Sequence, residues 1–161
     1  KLKQILFNLS FVIYIFLFCS IFLIFANFIH LKILIFIILL ISIASDIGGY
    51  VFGKTFKGAK LTKISPNKTI TGAIGSLIFS SLLLSLIYFY FTQNFDPIIL
   101  IISIITSISC QLGDIFFSYM KRKSFLKDTG KFLPGHGGIL DRIDGILLGL
   151  PAGFLTLLIL N

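Results

Sequence analysis

The sequence predicts an all-α, polytopic membrane protein, and three observations carry that prediction. Of its 161 residues, 57% are hydrophobic and only 12% charged, whereas water-soluble domains are nearer half apolar with about a quarter charged. The mean hydropathy is +1.05. The apolar residues also gather into five runs of about 20, the length that crosses a ~30 Å hydrocarbon core at ~1.5 Å per residue. A surface so poor in charge faces lipid.

The predicted spans are Ile5 to Ala26, Leu31 to Phe52, Thr71 to Phe91, Ile98 to Met120 and Ile139 to Leu160. Lys1 to Gln4 leads into the first, which is too long for a signal-peptide core. The short link Asn27 to His30 turns the chain into the second, which carries Asp46, Gly48, Gly49 and Gly53 toward its end. A longer basic loop precedes the third, and the short link Gln93 to Pro97 makes a second hairpin into the fourth. Another basic loop precedes the fifth, whose first turn holds Asp141 and Asp144. With no internal repeat, residues 1–161 read as a single helical membrane domain. Because the chain begins on Lys rather than Met, it reads as the C-terminal catalytic part of a longer protein.

Orientation follows from Lys and Arg, which concentrate in cytoplasmic loops. Residues 54–68 hold Lys54, Lys57, Lys60, Lys63 and Lys68, and residues 121–131 hold Lys121, Arg122, Lys123, Lys127 and Lys131, while residues 93–97 and the C-terminus hold none. Both basic loops are therefore expected in the cytoplasm, with the N-terminus inside and the C-terminus outside. The net charge of +8 is split into short clusters between apolar runs, which suits anionic headgroups or phosphates and argues against nucleic acid. Cys19 and Cys110 lie inside apolar runs without metal-ligand spacing and read as small hydrophobes.

All six acidic residues are Asp. A charge at mid-bilayer costs at least ~2.5–3.5 kcal/mol and marks function by default, yet Asp46, Asp114, Asp141 and Asp144 sit at similar depth beneath the two basic loops. Gln111, Asp114 and Ser118 recur at i, i+3 and i+7, so they share one helix face, which Lys121 continues. The bland alternative for Asp114 is structural glue neutralised by one Lys. Asp141 and Asp144 share one face of a first helical turn, where the helix dipole already favours carboxylates; an ordinary pair of N-terminal charges with Arg142 as partner is the alternative. Against it stands the preceding Gly135-His136-Gly137-Gly138, whose bare backbone can approach an anion. Hard oxygen ligands from separate helices, too few for a closed cage, suit Mg²⁺ shared with substrate phosphates.

The first basic loop continues as Ser65-Pro66-Asn67-Lys68-Thr69 into Gly72, a turn, a cation and a hydroxyl ahead of helix amides that can hold phosphate. It is not a Walker A motif, and alone it reads equally as a capped loop. His136 by spacing alone is polar loop surface, and His30 is structural.

Ser118-Tyr119-Met120-Lys121-Arg122, then Lys127-Asp128, Gly130, Leu133-Pro134, His136-Gly137-Gly138 and Asp141-Arg142-Ile143-Asp144 together resemble the motif of the phosphatidate cytidylyltransferase (CDP-diacylglycerol synthase) family. Ser45-Asp46, Gly49-Tyr50, Gly53-Lys54, Ser65-Pro66-Asn67-Lys68-Thr69 and Leu112-Gly113-Asp114 resemble it further. Where that family usually carries Glu then Gly, this chain has Thr71-Gly72.

The resemblance implies a dimeric membrane enzyme that joins CTP to phosphatidic acid, giving CDP-diacylglycerol and pyrophosphate with Mg²⁺. It implies Asp114 and Asp141 as metal ligands, with Asp144 and Asp128 beside them or at a second cation. Lys121, Arg122, Lys127 and Arg142 would neutralise the triphosphate and the lipid phosphate. Ser65, Lys68 and Thr69 would close the nucleotide side. Asp46, Ser118, His136, Gly137 and Gly138 complete the substrate-binding set. An ion- or proton-coupled transporter is the competing class, but it would place charge near mid-bilayer on broken helices in matching halves. A CDP-alcohol phosphotransferase is a third option, and its DGxxAR arrangement is absent.

Overall fold

The structure is a computed structural model that describes residues 2–62, 64–124, 138 and 140–160, with the side chains of residues 2–8, 141 and 142 outside that description. It contains α1 (Leu2–Phe25), α2 (Ile29–Phe56), α3 (Ile70–Thr92), α4 (Pro97–Lys123) and α5 (Leu140–Leu160). No strand occurs among the described residues; one antiparallel bridge joins Lys60 to Thr69. The five apolar runs are thus five helices. Four are long and apolar enough to cross a membrane, and within α1 the described apolar stretch is the shorter Leu9–Phe25.

The chain forms two compact units, Lys1–Phe36 and Ile37–Asn161. In the first, α1 gives way to α2 through a tight turn in which the Ala26 N–H donates to Phe22 O at 2.9 Å and the Phe28 N–H to Phe25 O at 3.2 Å.

In the second unit α4 is the central helix. Its buried residues Ile102, Ser103, Thr106, Ser107, Cys110, Gly113 and Phe117 recur three or four apart, so they form one continuous stripe. Asp96 caps its start, accepting from the Ile98 N–H at 2.9 Å, with Pro97 at the first helical position. The hairpin before it closes through Gln93 in the left-handed region, φ 55°, whose N–H donates to Phe89 O.

Lipid is as apolar as a leucine side chain, so association of such helices depends on close packing and interhelical hydrogen bonds. Both are present. A Cβ on Gly48 would stand 2.6 Å from Gly75 O, so α2 and α3 touch backbone to backbone. Ser76 Oγ donates to Ser45 O at 2.7 Å, Ser45 Oγ and Ser107 Oγ share a 2.7 Å hydrogen bond, and Cys110 Sγ reaches Ser42 Oγ at 3.2 Å. These contacts lock α2 to α3 and α4 through buried hydroxyls. Outward-facing residues such as Tyr90, Phe91, Leu158 and Ile159 are three-quarters or more exposed, a distribution that suits lipid and would be an aggregation hazard in water.

Candidate functional site

The end of α2, the loop that follows, the start of α3, the end of α4 and the start of α5 contribute to one polar region. A pocket of about 160 Å³ there is lined by Asp46, Gly49, Tyr50, Leu61, Asn67, Lys68, Thr69, Gly72, Ala73, Ser76, Gln111 and Asp114. Gln111 and Asp114 lie three apart on α4 and both face it, as their spacing predicts. Gln111 Nε2 donates to Ala73 O at 3.3 Å, which ties the α4 wall to the α3 wall.

Lys68 enters through a loop folded back on itself. The Leu61 N–H donates to Lys68 O at 2.8 Å, the Lys68 N–H to Ser65 O at 3.1 Å, and the Ile70 N–H to Ala59 O at 2.9 Å. Pro66 and Asn67 occupy the turn that these bonds close. Ser65 lies outside the pocket; its N–H donates to Thr62 Oγ1 at 3.1 Å and its carbonyl holds the turn. Thr69 is the N-cap of α3, with Oγ1 accepting from the Gly72 N–H at 3.1 Å. So held, Lys68 Nζ meets Asp114 Oδ2 at 2.5 Å, with both side chains more than two-thirds buried.

Asp114 is also pressed against α5. A Cβ on Gly145 would lie 2.6 Å from Asp114 Oδ1, and one on Gly113 would lie 2.8 Å from Asp144 O. Glycine at 113 lets the backbones of α4 and α5 approach this closely, and glycine at 145 leaves room for the Asp114 carboxyl. The Asp144 carboxyl comes within hydrogen-bonding reach of the Asp114 carboxyl. Its Oδ1 accepts from the Gly145 N–H at 3.0 Å, and Lys121 Nζ stands 3.6 Å from its Oδ2. Two ionised carboxylates ~4 Å apart repel by about 4 kcal/mol at an effective dielectric of ~20, and neighbouring cations offset that repulsion. Lys68 and Lys121 supply one from each side.

Of the residues the sequence singles out, Asp46, Lys68, Thr69 and Asp114 line the pocket, and Asp144 with Lys121 adjoins Asp114. Ser118 is half-buried on α4 without lining it. Arg122 lies with Lys123, Tyr119, Ile64 and Pro66 around a second, more open recess, and Gly138 is buried. Lys127, Asp128, His136 and Gly137 lie outside the described residues, as do the side chains of Asp141 and Arg142. Among the described residues no three His, Cys, Asp or Glu side chains gather as metal ligands. The carboxyls of Asp114 and Asp144 are brought together beside a polar pocket, and two hard oxygen donors of this kind would fit Mg²⁺ completing its shell with water and phosphate oxygens. Sequence reasoning missed Leu61, Ala73 and Ser76 as lining residues. Of these, Ser76 had a readable signal, a small hydroxyl four residues after Gly72 on the same helix face.

The sequence matches the family model described as "Cytidylyltransferase family" over residues 1–160. Three similar curated proteins are each named phosphatidate cytidylyltransferase. The one from Rickettsia typhi is 48% identical over 110 residues, 63% of this chain and 48% of that protein. The one from Helicobacter pylori is 38% identical over 112 residues, 70% and 42%. The one from Staphylococcus haemolyticus is 46% identical over 109 residues, 66% and 42%. The chain spans less than half the length of these relatives.

Proposed function

The chain belongs to the cytidylyltransferase family, and from that premise we propose that it carries the catalytic site of an enzyme that transfers the cytidylyl group of CTP to phosphatidic acid. The relatives' name supports this reading, and the observation that carries it in the structure is the Lys68–Asp114–Asp144–Lys121 cluster beside a polar pocket. A phosphate oxygen of the lipid attacks the α-phosphorus of CTP. The bond from that phosphorus to the bridging oxygen of the β-phosphate breaks, and pyrophosphate departs with the electron pair. CDP-diacylglycerol is the other product.

The attacking phosphate monoester is already ionised near pH 7, so the site has no need of a general base. Its task is to gather charge from two anionic substrates and position them in line. Lys68 and Thr69 sit on the nucleotide side, and Lys121 and Arg122 on the side of the last basic loop, where they neutralise phosphate oxygens. Asp114 and Asp144 would hold Mg²⁺, with Asp141 and Asp128 as further ligands from the last loop and helix. Bound there, the cation would screen the triphosphate and stabilise the leaving pyrophosphate. We place the enzyme in a bacterial-type inner membrane as a homodimer with this face in the cytoplasm, where CTP is available and where the two lysine-rich loops belong.

The transporter reading draws no support, because the polar residues gather at one end of the helices and the relatives are transferases by name. Incubation of the purified full-length protein with labelled CTP and phosphatidic acid, with and without Mg²⁺, tests the proposal. Label in lipid only when both substrates and the cation are present is expected. A full-length protein that makes no CDP-lipid would refute it.

A further inference from the structure

We propose that Thr71 is a positioning residue whose hydroxyl fixes the base of the loop that delivers Lys68 to Asp114. The chain leaves α2 through Lys57, which is in the left-handed region at φ 44°, and the next residue is pinned: the Gly58 N–H donates to Thr71 Oγ1 at 3.2 Å. Contact is close enough that a Cβ on Gly58 would lie 2.5 Å from Thr71 Cγ2 and 2.7 Å from Oγ1. The same hydroxyl stands 3.2 Å from Thr69 Oγ1, so one of the two donates to the other.

An ordinary residue in the first turn of a helix would spend its hydroxyl on that helix. Here Thr69 already caps α3 through the Gly72 N–H, and Thr71 spends its own on the loop. Ten residues lie between Gly58 and Thr69, and a loop of that length wanders unless its two ends are joined. The Gly58–Thr71 bond joins them, the Ile70–Ala59 and Leu61–Lys68 bonds continue the closure, and Lys68 Nζ arrives 2.5 Å from Asp114 Oδ2. Loss of the Thr71 hydroxyl leaves the Gly58 N–H unpaired and frees the segment that aims the lysine.

The inference rests on Lys68 serving as a phosphate-binding cation in the proposed reaction. Its test is a cycle in the full-length protein: Thr71→Val, Thr71→Ser, Lys68→Met and the Thr71→Val/Lys68→Met double variant, assayed for kcat/KM with CTP, alongside amide hydrogen exchange at Gly58. Thr71→Val is expected to lower kcat/KM about tenfold and to speed exchange at Gly58. Thr71→Ser recovers most of the activity. On the Lys68→Met background the valine change costs less than about twofold, because the lysine it would have aimed is gone. Equal losses on both backgrounds, a serine variant as impaired as valine, or a valine variant with wild-type kcat/KM would each overturn the inference while leaving the reaction standing. An inactive wild-type protein would instead overturn the reaction itself.

Discussion

Gly145 and Asp114 are fitted to each other across the α4–α5 contact: a Cβ at position 145 would lie 2.6 Å from Asp114 Oδ1 and 3.2 Å from Cys110 O. The closer clash is with the end of a side chain, which can swing away, so Gly145→Ala should be tolerated by the fold and resented by the site. Transfer from CTP to lipid is expected to fall by about tenfold to a hundredfold, since a shift near 1 Å in a positioned group can cost that much. The melting temperature in detergent should change little. Full activity in the alanine variant would show that the Asp114 position has slack.

Lys68 compensates Asp114 from the other side at 2.5 Å. Lys68→Met removes that cation and leaves Lys121, among the described residues, to balance two neighbouring carboxylates, so CTP turnover should drop by on the order of a hundredfold. Lys68→Arg should rescue only part of it, because a planar fork does not replace a compact ammonium at this separation. Steady-state kinetics with both variants decide the point, and an arginine variant equal to wild type would contradict the geometry.

Burial in lipid imposes length, so the helix starts were legible in the sequence, while the ends predicted at Phe52 and Met120 fall four and three residues short of Phe56 and Lys123. The runs predicted from Leu31, Thr71 and Ile98 begin within two residues of the starts of α2, α3 and α4. The grouping of Gln111 with Asp114 was legible too, since helical period alone fixes a shared face. What could not be read was which lysine meets which aspartate. Lys68 finds Asp114 through a loop whose closure depends on backbone bonds at Ala59, Leu61 and Ser65, and no spacing rule predicts those. Ser42, Ser76 and Ser107, buried hydroxyls at the helix contacts, carry no charge or motif that singles them out. Ser103, Ser107 and Cys110 recur three or four apart, a signal for a helix-packing face that could have been used.

That hydroxyl seam makes its own prediction. Ser45 and Ser107 share a hydrogen bond at 2.7 Å in a buried setting, and such bonds between membrane helices average about 0.6 kcal/mol. Ser45→Ala and Ser107→Ala should each lower stability modestly, and the double alanine should be less destabilised than the sum of the two. Denaturation in mixed micelles measures the coupling. Strict additivity would mean that the bond is not made.

Gly48 and Gly75 set the α2–α3 distance through contact of backbones. Gly48→Val meets Gly75 O and Phe79 Cβ, both 2.6 Å from its Cβ position, and the backbone partner cannot step aside. A loss of about 1–3 kcal/mol is expected, together with reduced activity, because the same two helices form pocket walls. An unchanged unfolding transition would contradict the packing described.

In the proposed reaction, cytidylyl transfer occurs where α4 and α5 bring Asp114 and Asp144 together. The most direct test is CDP-lipid formation by full-length Asp114→Asn, which keeps the shape of the side chain and removes its charge, measured against wild type across a Mg²⁺ titration. The account predicts activity down by on the order of a hundredfold or more at every Mg²⁺ concentration, with the protein still folded. Wild-type rates and an unchanged Mg²⁺ dependence in Asp114→Asn would place the chemistry elsewhere.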